Sequence, residues 1–97
     1  MMDTKDAQDL MRRIYLHKDK ERGVQGTILR TFEELGELSE AITSGKRENI
    51  EEELADVFAW LCSLANLLEI DLTDALLSKY QGSCSKCGNI PCICEQE

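Results

Sequence analysis

The side chains most able to do chemistry are two acidic pairs, Glu34-x-x-Glu37 and Glu53-x-x-Asp56, within the stretch Phe32 to Asp56. Carboxylates three residues apart on a helix project from one face. Fifteen residues lie between Glu37 and Glu53, Gly45 among them. A short turn there makes the flanking helices antiparallel neighbours and lets four carboxylates converge between them. An all-oxygen donor set suits Mg²⁺ or Mn²⁺, hard cations that favour carboxylate and water over nitrogen or sulfur. A di-iron bundle would instead need Glu-x-x-His pairs, and the lone His17 lies far upstream and reads as a solvent-exposed or hydrogen-bonded side chain. A solvated acidic surface is the competing reading of the same residues.

A second cluster of ligand-type residues ends the chain: Cys84-x-x-Cys87 and Cys92-x-Cys94, with Gly88 and Pro91 turning between the pairs. Four thiols in one short loop match tetrahedral Zn²⁺. Disulfides formed on oxidation and a reduced, irregular tail are the alternatives. Cys62 sits in an apolar run and reads as a small buried hydrophobe.

These residues need helices to hold them. Residues Asp3 to Lys20 read as an amphipathic helix through Leu10, Met11, Ile14 and Tyr15, and Lys20-Glu21-Arg22-Gly23 as a solvated turn. A second helix spans about Val24 to Ser44, with Ile28, Phe32, Leu35, Leu38 and Ile42 as its core stripe and Gly45 as its left-handed stop. Arg30, Glu34, Glu37 and Ala41 form a row on one flank of that stripe, while Glu33 and Glu40 project further round. A third helix, about Glu48 to Glu69, carries Ile50, Leu54, Val57, Leu61, Leu64 and Leu68 as core, with Glu53, Asp56 and Trp60 on the corresponding flank. From Val57 onward it is apolar nearly all round, more than a small monomer covers, so a larger bundle formed by oligomerisation is expected. Asp71 is expected to N-cap a short fourth helix, with Asp74 as the capping-box acid, before a linker at Gln81 to Ser83. The expected organisation is therefore an all-α antiparallel helical bundle over residues 1–81 followed by a cysteine-rich tail at 82–97.

Composition narrows the partners. Ninety-seven residues with a net charge of −8 make one small acidic domain, poorly suited to a nucleic-acid polymer or an anionic membrane. A free nucleotide stays compatible, because a divalent cation reverses the local sign. No window is apolar enough to span a membrane, and the N-terminal residues carry no apolar signal core. A soluble, cytoplasmic protein is expected.

The wording E-E-L-G-E-L-S-E-A-I, a spacer, then E-E-E-L-A-D-V-F-A-W-L-C-S-L-A-N-L-L-E-I-D-L resembles the MazG-like nucleoside triphosphate pyrophosphohydrolases over roughly Gly23 to Tyr80. The resemblance implies an all-α NTP pyrophosphatase fold, with helices of two subunits completing each site in a homodimer or dimer of dimers. It implies hydrolysis of a nucleoside triphosphate to the monophosphate and pyrophosphate, a nucleotide house-cleaning reaction. It also implies Mg²⁺ ligands at Glu34, Glu37, Glu53 and Asp56. Glu37 is the favoured general base among the catalytic carboxylates, with Glu53 beside it. Lys79 matches a basic position that contacts phosphates in related enzymes. Arg30 is a phosphate contact or an ion-pair partner of Glu34; Trp60 stacks on a base or packs as core; Asn66 meets ligand or satisfies a backbone group. The runner-up activity is phosphoribosyl-ATP pyrophosphohydrolase, which shares the fold. The non-enzymatic alternative is a helical interaction module with a zinc knuckle.

Overall fold

A computed structural model describes residues 1–95. Among the described residues the regular elements are three helices and no strand: α1 (Thr4–Ser44), α2 (Arg47–Leu67) and α3 (Leu72–Lys79). The architecture is all-α, as the sequence predicts. None of these helices is long and apolar enough to cross a membrane.

The break expected at 20–23 is present but takes one residue rather than four: Gly23 (φ 82°, ψ 171°) is non-helical and divides α1 into two helical arms. That backbone region is open only to glycine, so one residue redirects the helix without a loop. Lys20 and Glu21 are exposed, as a solvated turn would have them, whereas Arg22 is half-buried. Arg22 Nη1 donates to Asp19 Oδ1 (2.9 Å) and to Thr27 Oγ1 (3.2 Å), and the Thr27 hydroxyl donates to the Gly23 carbonyl (2.8 Å). Asp19 and Thr27 are fully buried, and together these bonds staple the two arms of α1 across the bend.

Caps set the other boundaries. Asp3 and Asp6 form a reciprocal capping box at the start of α1. Gly45 (φ 77°) closes it, its N–H reaching Ala41 O and Ile42 O. Only Gly45 and Lys46 separate α1 from α2, so residues 24–44 and α2 lie as antiparallel neighbours. Asp71 does N-cap α3, accepting from the Asp74 N–H (2.9 Å). The reciprocal bond expected of Asp74 is not made; its carboxylate takes Lys5 Nζ (2.9 Å), which also binds Asp71 (2.7 Å) and ties α3 to the chain start.

A buried amide lock joins the first arm of α1 to the end of α2. Gln8 Nε2 donates to Asn66 Oδ1 (3.0 Å) and Ile70 O (2.7 Å), Asn66 Nδ2 donates to Gln8 O (3.1 Å), and Gln8 Oε1 accepts from Leu72 N–H (3.0 Å). Arg12 adds a bond to Asn66 Oδ1. Asn66 thus satisfies a backbone group, and its amide is used up by the fold.

The expected core stripes are largely not core within one chain. Phe32 is 67% exposed and Ile42 57%, and Leu35, Leu54, Leu61 and Leu68 are also exposed. Ile28, Leu38, Ile50, Val57 and Leu64 are only half-buried. The fully buried apolar residues are Ala41, Cys62 and Ala65. What faces inward between the helices is the flank of small and polar residues, because two helices can shield only the narrow strip along their mutual contact.

Candidate active site

The inward flank carries the acidic pairs. Residues 24–44 deliver Glu34 and Glu37 and α2 delivers Glu53, and one carboxylate oxygen from each lies within 4.8 Å of the others. Glu34 is buried, Glu53 half-buried and Glu37 exposed, so the cluster has a closed floor and an open side. Arg30 Nη2 reaches Glu34 Oε1 at 3.4 Å, and Arg30 also pairs with Glu33. Glu34 Oε2 and Glu53 Oε1 are buried and have no hydrogen-bond partner. Orphaned carboxylate oxygens in an interior are costly, and a cation bound among these carboxylates would relieve that cost. Desolvation, then the neighbouring charges of Glu37, Asp56 and Glu34, pushes the Glu53 carboxyl above its usual range.

Asp56 does not join this convergence of three. One turn beyond Glu53, it lines an adjoining cavity of about 210 Å³ with Tyr15, Asp19, Arg22, Trp60 and Ser63. Trp60 is half-buried, with the Arg22 guanidinium 4.5 Å and the Arg30 guanidinium 5.2 Å from its ring centre. Arg30 is therefore both an ion-pair partner of Glu34 and a cover for Trp60. Lys79 stands elsewhere in the single chain, over the Tyr80 ring (5.5 Å) and beside Cys84, Cys92 and Cys94. His17 is exposed.

Asp19, Arg22 and Thr27 did not stand out in the sequence. The available signal was an Asp and an Arg three residues apart just before a glycine, which reads equally well as a surface pair.

In the tail, the four thiols Cys84, Cys87, Cys92 and Cys94 also lie within 4.8 Å of one another. Cys84 and Cys94 Sγ are 3.8 Å apart and Cys87 and Cys92 Sγ 4.0 Å. Sulfurs held tetrahedrally at about 2.3 Å from zinc would stand about 3.8 Å apart, so the spacing fits that ion. Backbone N–H groups at Ile93 and Asn89 lower the Cys87 thiol to about 6. The neighbouring thiols, Cys92 foremost, push Cys94 up to about 11. Lys86 N–H and Cys94 N–H point at Cys84 and Cys92 sulfur. Cys62 is buried in α2, and burial raises its thiol.

Compared with known proteins, residues 22–88 match the family described as the MazG nucleotide pyrophosphohydrolase domain. No curated protein matches the chain.

Proposed function

Because the chain belongs to the MazG nucleotide pyrophosphohydrolase family, we propose that it hydrolyses a nucleoside triphosphate to the monophosphate and pyrophosphate, with Mg²⁺ or Mn²⁺ held by Glu34, Glu37 and Glu53, and Asp56, one turn beyond Glu53 on the cavity side, completing the set only when the cation is bound. The observation that carries this reading is the pair of buried, partnerless oxygens on Glu34 and Glu53 at the point where carboxylates of two helices meet. When bound there, the cation neutralises the phosphate chain and acidifies water.

The chain's own groups do the rest. Glu37, the exposed member of the cluster, takes the proton of the attacking water as general base. The water oxygen bonds to phosphorus at the α–β linkage, and that phosphoanhydride bond breaks as pyrophosphate leaves. Glu53 and Glu34 serve as ligands, Glu34 oriented by Arg30. Arg30 lends a positive charge to the phosphates, and Trp60 supplies an aromatic face for the base. Lys79 reaches phosphates only when a second copy delivers it. The exposed apolar stripe of Phe32, Leu35, Ile42, Leu54 and Leu61 supports such an assembly, a dimer or dimer of dimers, because aliphatic surface on this scale is normally covered.

The tail, residues 82–97, holds structural Zn²⁺ on Cys84, Cys87, Cys92 and Cys94, outside the helical domain at 1–81. Free thiols in this arrangement fit the reducing cytoplasm, where the reaction would clear unwanted nucleotides. The test is pyrophosphate release from a panel of nucleoside triphosphates and phosphoribosyl-ATP, with and without Mg²⁺. Release only from phosphoribosyl-ATP would assign the chain to histidine biosynthesis. Absence of release from every substrate would leave a non-catalytic helical module.

A further inference from the structure

The cavity beside Asp56 contains a group that the reaction above does not use. Asp19 is 1% exposed. Its Oδ1 accepts from Arg22, while its Oδ2 is buried without any partner. A half-satisfied buried carboxylate is expensive unless something completes it. The same cavity presents the Trp60 ring, and the Arg22 guanidinium lies on that ring at 4.5 Å while bonding Asp19 at 2.9 Å. The chain's own arginine thus lines the cavity as a flat group with in-plane N–H donors, held over an aromatic face and bonded to a carboxylate.

We propose that this cavity is a base-reading subsite for guanine nucleotides, in which guanine displaces Arg22, stacks on Trp60 and donates N1–H and the 2-amino N–H to the two oxygens of Asp19. Guanine's N1–C2–N2 edge is itself a guanidine unit, so it reproduces the donor pattern that Arg22 holds in place. Its two parallel donors also engage Oδ2, which one Arg22 nitrogen leaves unpaired. The other bases match less well. Adenine and cytosine set an acceptor nitrogen beside their amino group, and uracil and thymine flank one N–H with two carbonyls, so each turns a lone pair toward the carboxylate. At about 210 Å³ the cavity is below the roughly 300–1,000 Å³ of sites for drug-sized ligands. It has room for a base, with the rest of the nucleotide outside. Asp56 lines the cavity and lies one turn from Glu53, so a base seated here leaves its phosphates toward the acidic cluster.

The inference rests on the nucleotide reading of that cluster, and it is tested by a measurement that does not require turnover. Trp60 is the chain's sole tryptophan, so its fluorescence reports a base entering the cavity. The full chain is titrated in Mg²⁺ with GMP, IMP, AMP, CMP and UMP, and kcat/KM for pyrophosphate release is compared for GTP and ITP. IMP differs from GMP only by the missing 2-amino group. GMP is expected to bind roughly 10- to 100-fold more tightly than IMP, the range for a hydrogen bond to a charged group. Asp19→Asn is expected to bring the two within about threefold in the same fluorescence titration. GMP and IMP bound equally by the wild-type chain would overturn the inference even if Asp19→Asn fails to fold. Pyrophosphate release without guanine preference overturns the inference and leaves the hydrolase reading standing. Guanine-selective quenching without pyrophosphate release leaves the subsite standing and removes the hydrolase.

Discussion

Glu53→Gln keeps the shape of a side chain that meets Glu34 and Glu37 and removes its charge. Without metal, Glu53 is desolvated and surrounded by like charges, and its carboxyl is raised in the folded state. A carboxyl raised on folding binds its proton more tightly in the native than in the unfolded chain. Its contribution is therefore fully favourable below the unfolded value and is lost as pH rises through the folded value. At neutral pH the metal-free wild type carries that repulsion and the variant does not, so metal-free Glu53→Gln should melt at the same temperature or slightly higher.

Mg²⁺ reverses the order. At a concentration about 100 times its dissociation constant, a ligand that binds only the folded state stabilises by about 2.7 kcal/mol. For a domain of this size, roughly 4–8 °C per kcal/mol converts that to a rise of roughly 10–20 °C. A tenfold loss of affinity on removing one charged ligand takes away about 1.4 kcal/mol, or roughly 5–10 °C of the rise. Differential scanning fluorimetry at several Mg²⁺ concentrations, paired with a pyrophosphate assay, measures both effects. Glu40→Gln, at an exposed position outside the cluster, is the control and should behave as wild type. If Glu53→Gln and Glu40→Gln respond equally to Mg²⁺, the convergent carboxylates are only charged surface.

Phe32→Asp, at a position 67% exposed in one chain, should convert a dimer or dimer of dimers to monomer by light scattering and lower activity with it; a wild-type monomer at micromolar concentration would refute the assembly. Truncation after Tyr80 should keep the helical circular dichroism signal, because the lock of Gln8, Asn66 and Leu72 lies wholly before the tail. The full chain should hold one zinc by elemental analysis, lost in a Cys84→Ser, Cys87→Ser variant. Asn66→Ala removes two of the four bonds of the buried lock, from Gln8 Nε2 and to Gln8 O, and should cost about 1–3 kcal/mol, read as a lower melting temperature, with activity per folded molecule little changed.

Local signals carried much of this molecule. Gly45 and Asp71 act through their own backbone and the few residues beside them, so the α1 stop and the α3 start were legible. Periodicity placed Glu34, Glu37 and Glu53 on corresponding flanks, and the cysteine spacing brought four thiols together. Which flank turns inward is another matter, because it depends on how two helices are rotated against each other. Hydropathy pointed to the Phe32 and Leu54 stripes as core, whereas α1 and α2 meet through Ala41, Cys62, Ala65 and the acidic row. The stripe records a surface that one copy does not cover, and a single sequence does not distinguish burial within a chain from burial between chains. Long-range geometry likewise separated Asp56 from its three partners. It also drew Asp19 and Arg22 into a staple with Thr27, because the one-residue break at Gly23 folds the two arms of α1 against each other and sets Arg22 over Trp60.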